Sequence, residues 1–264
     1  MIHITDVSGV EVGLPKVADK EGIRWITFNR PEIRNALTVE DLRLVQESVS
    51  ESNKDIRAIV ITGTGDLAFT AGMHIETFSG ITVDQARERI TAIRDCVGAV
   101  RLCPKPTIAA VNGVCIGAGF EMALACDIRI AHPSVRFGLP EVKLGIPSVV
   151  DASLLQHHVG LSKAKEIILT GDLFGIDDCT TSPLFNKIVA PEAVIAEAHR
   201  TAGKLSEHTA EVIAAQKILF ETWLNTSLQE GIDISVDIFA ELFSNQTTHD
   251  AIARYAPSAA NRKN

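Results

Sequence analysis

Two carboxylates and one cluster of small residues are the places in this sequence where chemistry is possible. Glu121 follows a long uncharged run and precedes Met122-Ala123-Leu124-Ala125-Cys126. That pattern puts an acid at the start of a buried helix, either as a first-turn charge favoured by the helix dipole or as a working group. Glu141 sits within Phe137-Gly138-Leu139-Pro140-Glu141-Val142-Lys143-Leu144-Gly145-Ile146-Pro147. Gly and Pro on both sides predict a rigid loop that holds the carboxylate against apolar neighbours. A carboxylic acid in such a setting is suited to carrying a proton near neutral pH. Two acids in one dry site split their titrations, leaving one as base and one as acid. Gly117-Ala118-Gly119 leads into the helix of Glu121. Small residues there let a ligand approach the backbone, and the first helical amides lack internal acceptors. They can therefore stabilise an oxyanion; tight packing is the other reading. A dinucleotide fingerprint fails, because its third glycine would fall on Met122 and the segment lies mid-chain.

These groups need a scaffold. Ile23 to Phe28 alternates as a half-buried strand does, with Gly9 to Gly13 as the expected hairpin partner. Asn29-Arg30-Pro31 ends the strand, since Pro31 donates no hydrogen bond. Thr38 reads as an N-cap for a helix over Val39 to Val49. Arg57 to Gly63, Thr107 to Val111 and Asp127 to Ala131 read as short apolar strands. A helix over Val83 to Leu102 is stopped by Pro104 and Pro106. The stretch from Gly65 to Ile75 reads as irregular. Helical patterns dominate from Ser162 to Thr170 and from Pro191 onward. The strand–helix alternation predicts an α/β core over residues 1–195 and a helical subdomain over 196–264.

Composition narrows the function classes. The 264 residues carry 33 acidic and 25 basic side chains, a net charge of −8, which argues against general nucleic-acid binding. The longest uncharged apolar run, between Lys105 and Glu121, is too short to span a bilayer and is broken by Asn112 and glycines. The first residues lack the basic and apolar regions of a signal peptide. Cys96, Cys103, Cys115, Cys126 and Cys179 are odd in number and form no C-x-x-C pair, so reduced thiols packed as small hydrophobes are expected. His157-His158 point apart on a helix and lack an acidic partner at ligand spacing, so no metal is expected. Together these features predict a cytoplasmic protein.

A family resemblance comes from an ordered set of motifs. They are Asn29-Arg30-Pro31 with Asn35-Ala36-Leu37, Phe69-Thr70-Ala71-Gly72-Met73, Pro106 to Gly113, Gly117 to Asp127, Phe137 to Pro147, and Leu169-Thr170-Gly171-Asp172. The set resembles the crotonase (enoyl-CoA hydratase/isomerase) superfamily over roughly residues 20 to 190. The resemblance implies a spiral of ββα units, with C-terminal helices that assemble trimers or paired trimers. It implies an acyl-CoA thioester substrate, with coenzyme A part of that substrate and no separate cofactor. Two backbone amides would hold the thioester oxygen, here those of Met73 and Ala118 by motif position. Glu121 and Glu141 would hold a water and add it across the double bond of a 2-enoyl-CoA. Glu121 is expected to activate water and Glu141 to donate the proton. Substrate contacts are expected from Arg34, Ala36, Ala71, His74, Ile75, Gly117, Pro140 and Asp151. Arg34 either pairs with a phosphate of coenzyme A or is a solvated loop arginine.

Departures from the family pattern bear on specificity. His74 replaces an aspartate, and either titrates or makes a structural hydrogen bond. Pro147-Ser148-Val149-Val150-Asp151-Ala152 replaces Pro-Gly-x-Gly-Gly-Thr, one residue shorter before the proline. Asp151 is thus an additional acid: a first-turn charge, a ligand for a polar acyl group, or part of carbon–carbon hydrolysis. Thr180 to Phe185 replaces Ala-x-x-x-Gly-Leu-Val, and Arg254 and Tyr255 stand near the place of a missing terminal Glu-Lys-Arg. Isomerase or hydrolase chemistry on the same oxyanion hole competes with hydration. A non-catalytic acyl-CoA-binding scaffold is disfavoured, because idle buried carboxylates cost stability.

Overall fold

A computed structural model describes residues 13–179 and 184–255. Its strands are β1 (Lys16–Lys20), β2 (Ile23–Phe28), β3 (Ala58–Gly63), β4 (Ala68–Thr70), β5 (Thr107–Val111), β6 (Val114–Ile116), β7 (Ile128–Ala131), β8 (Arg136–Gly138), β9 (Phe174–Gly175) and β10 (Lys187–Ile188). Its helices are α1 (Val39–Ser50), α2 (Val83–Leu102), α3 (Ala118–Ala125), α4 (Leu155–Thr170), α5 (Val194–Ser206), α6 (Ala210–Asn225), α7 (Leu228–Glu241) and α8 (Gln246–Tyr255).

The larger sheet runs β1-β2-β3-β5-β7-β10, parallel except for the β1–β2 hairpin. Its central strands β3, β5 and β7 are buried along nearly their whole length because both faces are covered. Ile59 and Ile61 of β3 face the main core, with Leu42 and Val45 of α1 and Val97 and Val100 of α2. Ala58 and Val60 face the other way, against Val194, Ala198 and Ala202 of α5. The expected boundary at residue 196 therefore falls inside a helix that lies on the sheet. Helix α4 begins earlier than its sequence pattern suggests and kinks at Gly160.

The hairpin partner of β2 is Lys16–Lys20, not Gly9 to Gly13, of which residues 9–12 lie outside the described ones. Glu21 and Gly22, both at positive φ, close the two-residue turn that right-handed strand twist favours. Strand β1 is exposed along its whole length, so it carries no apolar alternation to betray it. Thr180 to Pro183, where the family motif departs, also lie outside the described residues.

The second sheet, β4-β6-β8-β9, positions the site. β4, β6 and β8 run parallel, so their carboxyl ends lie side by side. Three loops leave from those ends. They carry Gly72 and Met73, then Gly117 to Glu121, then Pro140 and Glu141. The carboxyl edge of parallel strands is where α/β folds gather their ligands.

Candidate active site

The first loop is fixed by the segment at residues 34–37. Ala71 N–H donates to Arg34 O at 2.9 Å, Leu37 N–H to Gly72 O at 2.8 Å, and His74 N–H to Leu37 O at 2.8 Å. Leu37 thus bridges across Met73 in parallel fashion, which turns Met73's own N–H away from Leu37. The 34–37 segment is itself immobilised. Asn35 donates to Ala68 O at 2.8 Å and accepts from Arg30 N–H at 3.0 Å. Arg30 donates to Ala36 O and forms a buried ion pair with Asp41, and Asp41 closes a capping box with Thr38 at the start of α1. These residues, conspicuous in the motif set, hold the loop in place.

The second loop approaches the first as closely as backbone allows. Gly72 has φ +79°, and a Cβ there would lie 2.8 Å from Ile116 O and 3.4 Å from Ala118 N. Gly117 has φ +57° and ψ −136°, a conformation suited to glycine, and caps α3 without a side-chain bond. A Cβ on Gly119 would meet Thr70 Cγ2 at 2.2 Å, so this glycine serves helix–strand packing. The packing reading of the cluster therefore applies at Gly119. Among the described residues neither the Met73 nor the Ala118 amide donates to a protein acceptor. Ala118 is the first residue of α3, where the helix offers no partner and the dipole is positive. Two unpaired N–H groups on adjoining backbones can receive one oxyanion.

Helix α3 is buried over its whole length. Arg129 closes its far end, donating to the carbonyls of Ala123, Leu124 and Cys126. Glu121 is 4% exposed. Burial pushes its carboxyl well above the ordinary 4.5, and the charges of Glu141 and Asp151 add to that; the Ala152 amide opposes it. Glu141 stands on the 3-10 turn Pro140–Leu144 and is half-buried. Its Oε2 accepts from the Ser148 hydroxyl at 2.8 Å, and its Oε1 lies 3.0 Å from where a Gly117 Cβ would be. So the two acids flank the Gly117 turn. Pro140 is half-buried beside them.

The remaining residues occupy distinct places. Arg34 is exposed at φ +55°, and its guanidinium makes no hydrogen bond or ion pair among the described residues. Ala36 is buried and Ala71 half-buried, while Ile75 is 57% exposed. His74 caps a 3-10 turn over Ile75–Phe78 through its carbonyl, which accepts from Thr77 Oγ1 at 2.6 Å. Its buried Nδ1 has no partner among the described residues. Asp151 is buried on the 3-10 turn Val150–Leu154 and pairs with Arg101 of α2 at 2.9 Å. Ser148 and Arg101 were not singled out from sequence; each is identified only by a contact across distant segments. Burial, then the charges of Arg129 and His157, lower His158 to about 4, so it is neutral at physiological pH. Among the described residues no three His, Cys, Asp or Glu side chains cluster to hold a metal, and no helix is long and apolar enough to cross a membrane.

Comparisons with known proteins identify the family and the fold. The enoyl-CoA hydratase/isomerase family profile matches residues 18–260. The chain is 30% identical over 239 residues to crotonyl-CoA hydratase of Syntrophomonas wolfei, covering 89% of this chain and 92% of that one. It is 30% identical over 243 residues to short-chain-enoyl-CoA hydratase of Clostridium acetobutylicum, covering 90% and 93%. Among solved structures, Pseudomonas aeruginosa DspI matches with a TM-score of 0.88 at 26% identity, covering 95% and 97%. Enoyl-CoA hydratase from Bacillus anthracis matches with 0.86 at 25% identity, covering 91% and 95%.

Proposed function

The chain belongs to the enoyl-CoA hydratase/isomerase family and has the crotonase fold, and on that premise we propose that it hydrates a 2-enoyl-CoA to a 3-hydroxyacyl-CoA. The observation that carries this reading is a pair of acids flanking the Gly117 turn, beside two unpaired backbone amides. The thioester oxygen docks on the Met73 and Ala118 N–H groups. Water held by both glutamates attacks C3, and its proton passes to one of them. The electron pair of the double bond moves onto the thioester oxygen, giving an enolate that the two amides stabilise. The other glutamate, protonated, delivers its proton to C2 on the same face.

Burial and two acidic neighbours raise the proton affinity of Glu121, so the two acids titrate apart, as a site that both takes and gives a proton requires. Ser148 orients Glu141. A double-bond isomerase needs only one shuttling carboxylate, so the second acid favours hydration. Arg34, exposed and unpaired among the described residues, is the candidate phosphate contact, and Ala36, Ala71, His74, Ile75, Gly117 and Pro140 are the candidate substrate contacts.

Assembly into a homotrimer or paired trimers belongs to the same reading. It is supported by apolar side chains exposed on α6 and α7, including Phe220, Trp223, Val236 and Phe239. A cytoplasmic setting is supported by five free, buried thiols. The test is to incubate the protein with crotonyl-CoA and longer 2-enoyl-CoAs and follow the conjugated absorbance. Hydration bleaches it; persistent absorbance with every chain length rejects the reading.

A further inference from the structure

The chain between Glu141 and Asp151 is not held in place by its own burial. Residues 142–147 and Val149 are exposed, and Asp151 and Ala152 are the first buried residues after Glu141. Within this stretch Val150 sits at φ +55°, a conformation that a β-branched residue resists. Strain of this kind persists only where the surroundings require it. The same stretch carries Ser148, whose hydroxyl donates to Glu141 Oε2 at 2.8 Å. An anchor outside the segment must therefore fix it.

Resting on the hydration reading, we propose that Arg101 is a positioning residue for Glu141: it clasps Asp151 and so fixes the turn that carries the Ser148 hydroxyl. The contacts run without a gap. Arg101, in the last turn of α2, donates from Nε to Asp151 Oδ1 at 2.9 Å, and its Nη1 pairs with Glu221 of α6. Two acids on one planar guanidinium fix its orientation. Asp151 is 7% exposed, and a carboxylate that deep needs such a partner. It is thereby committed to a cation of the fold rather than to a polar acyl group. Asp151 stands on the 3-10 turn Val150–Leu154, and the Ala152 amide donates back to Val149 O at 3.1 Å. That bond ties the clasped residue to the one that follows Ser148.

The other holds on this stretch lie near its start. The amides of Gly145 and Ile146 bond back to Val142 O and Glu141 O. Lys143 pairs with Asp172 at 2.7 Å on the exposed surface, where an ion pair contributes little. Among the described residues, Ser148 to Glu141 is the only side-chain hydrogen bond made by residues 147–150. With Oε2 held there, Glu141 Oε1 faces the Gly117 turn, 3.0 Å from where a Cβ would be. Without the clasp, the turn is free to relax its strain at Val150. The Ser148 hydroxyl then leaves Glu141, and the carboxyl group can rotate away from the Gly117 turn.

The test reads Glu141 directly. In each background, infrared difference spectra against the same protein carrying Glu141→Gln isolate the carboxyl bands of Glu141. Ser148→Ala removes a hydrogen bond from Glu141 and shifts those bands. Arg101→Met alters no group bonded to Glu141, and is expected to shift them in the same direction. With crotonyl-CoA each variant lowers kcat about tenfold with KM little changed, the scale of one hydrogen bond. The double variant also falls only about tenfold, because the second change removes a bond already lost. Asp151→Asn releases the same turn and takes the place of Arg101→Met should that form not fold. Native Glu141 bands in the folded clasp variant, or a loss of about a hundredfold in the double variant, overturn the proposal. The infrared reading needs no substrate, so it separates the two claims. Shifted bands in a protein that hydrates no enoyl-CoA uphold the positioning role and reject hydration alone.

Discussion

Glu121→Gln is expected to lower kcat for crotonyl-CoA hydration roughly a thousandfold, with KM little changed. Glutamine fills the same space on a buried helix but can neither give nor take a carboxyl proton. Glu141→Gln should produce a loss of similar size by removing the second acid. The two differ in stability. The folded-state affinity of Glu121 for its proton is raised, so above pH 4.5 the folded chain holds a proton that the unfolded chain has released. Stability therefore falls as pH rises through that window, by up to about 1.4 kcal/mol per unit. Thermal melts of Glu121→Gln should lack that decline and exceed native values at neutral pH. A buried acid retained against stability is what a working group looks like. Native-like turnover in Glu121→Gln would remove it from the chemistry.

Gly72→Ala should cut kcat/KM by roughly a hundredfold or more, the scale of losing one oxyanion donor. The new methyl group would press on Ile116 O and the Ala118 amide, which are main-chain atoms with little room to yield. Positive φ at Gly72 adds strain. The Met73 and Ala118 amides would then lose the convergence that the proposed oxyanion site requires. Met73→Ala leaves the same amide in place and should keep turnover close to native. Circular dichroism and melting confirm that both variants are folded before rates are compared. Equal, small effects in the two would mean that side chains rather than backbone hold the oxygen.

The readability of this protein followed element length and burial. β2, β3, β5 and β7, α1 and α2 stand close to where apolar spacing and the Thr38 cap place them. β4, β6, β8 and β9 were not recognised, since two or three residues are too few to show alternation. Yet those strands align the loops of the site. Glu121 and Glu141 stood out because acids among apolar residues and glycines are conspicuous. Ser148 and Arg101 did not, because a serine or an arginine draws its meaning from a partner that only folding supplies. Gly119, in a cluster read either for oxyanion binding or for tight packing, packs against Thr70.

The most direct test is a crystal structure of the Glu121→Gln protein soaked with crotonyl-CoA. The thioester oxygen should lie about 3 Å from the amide nitrogens of both Met73 and Ala118. C3 should face a water held between the side chains at 121 and 141. A thioester oxygen bound by side chains or solvent, with those two amides pointing elsewhere, would contradict the mechanism.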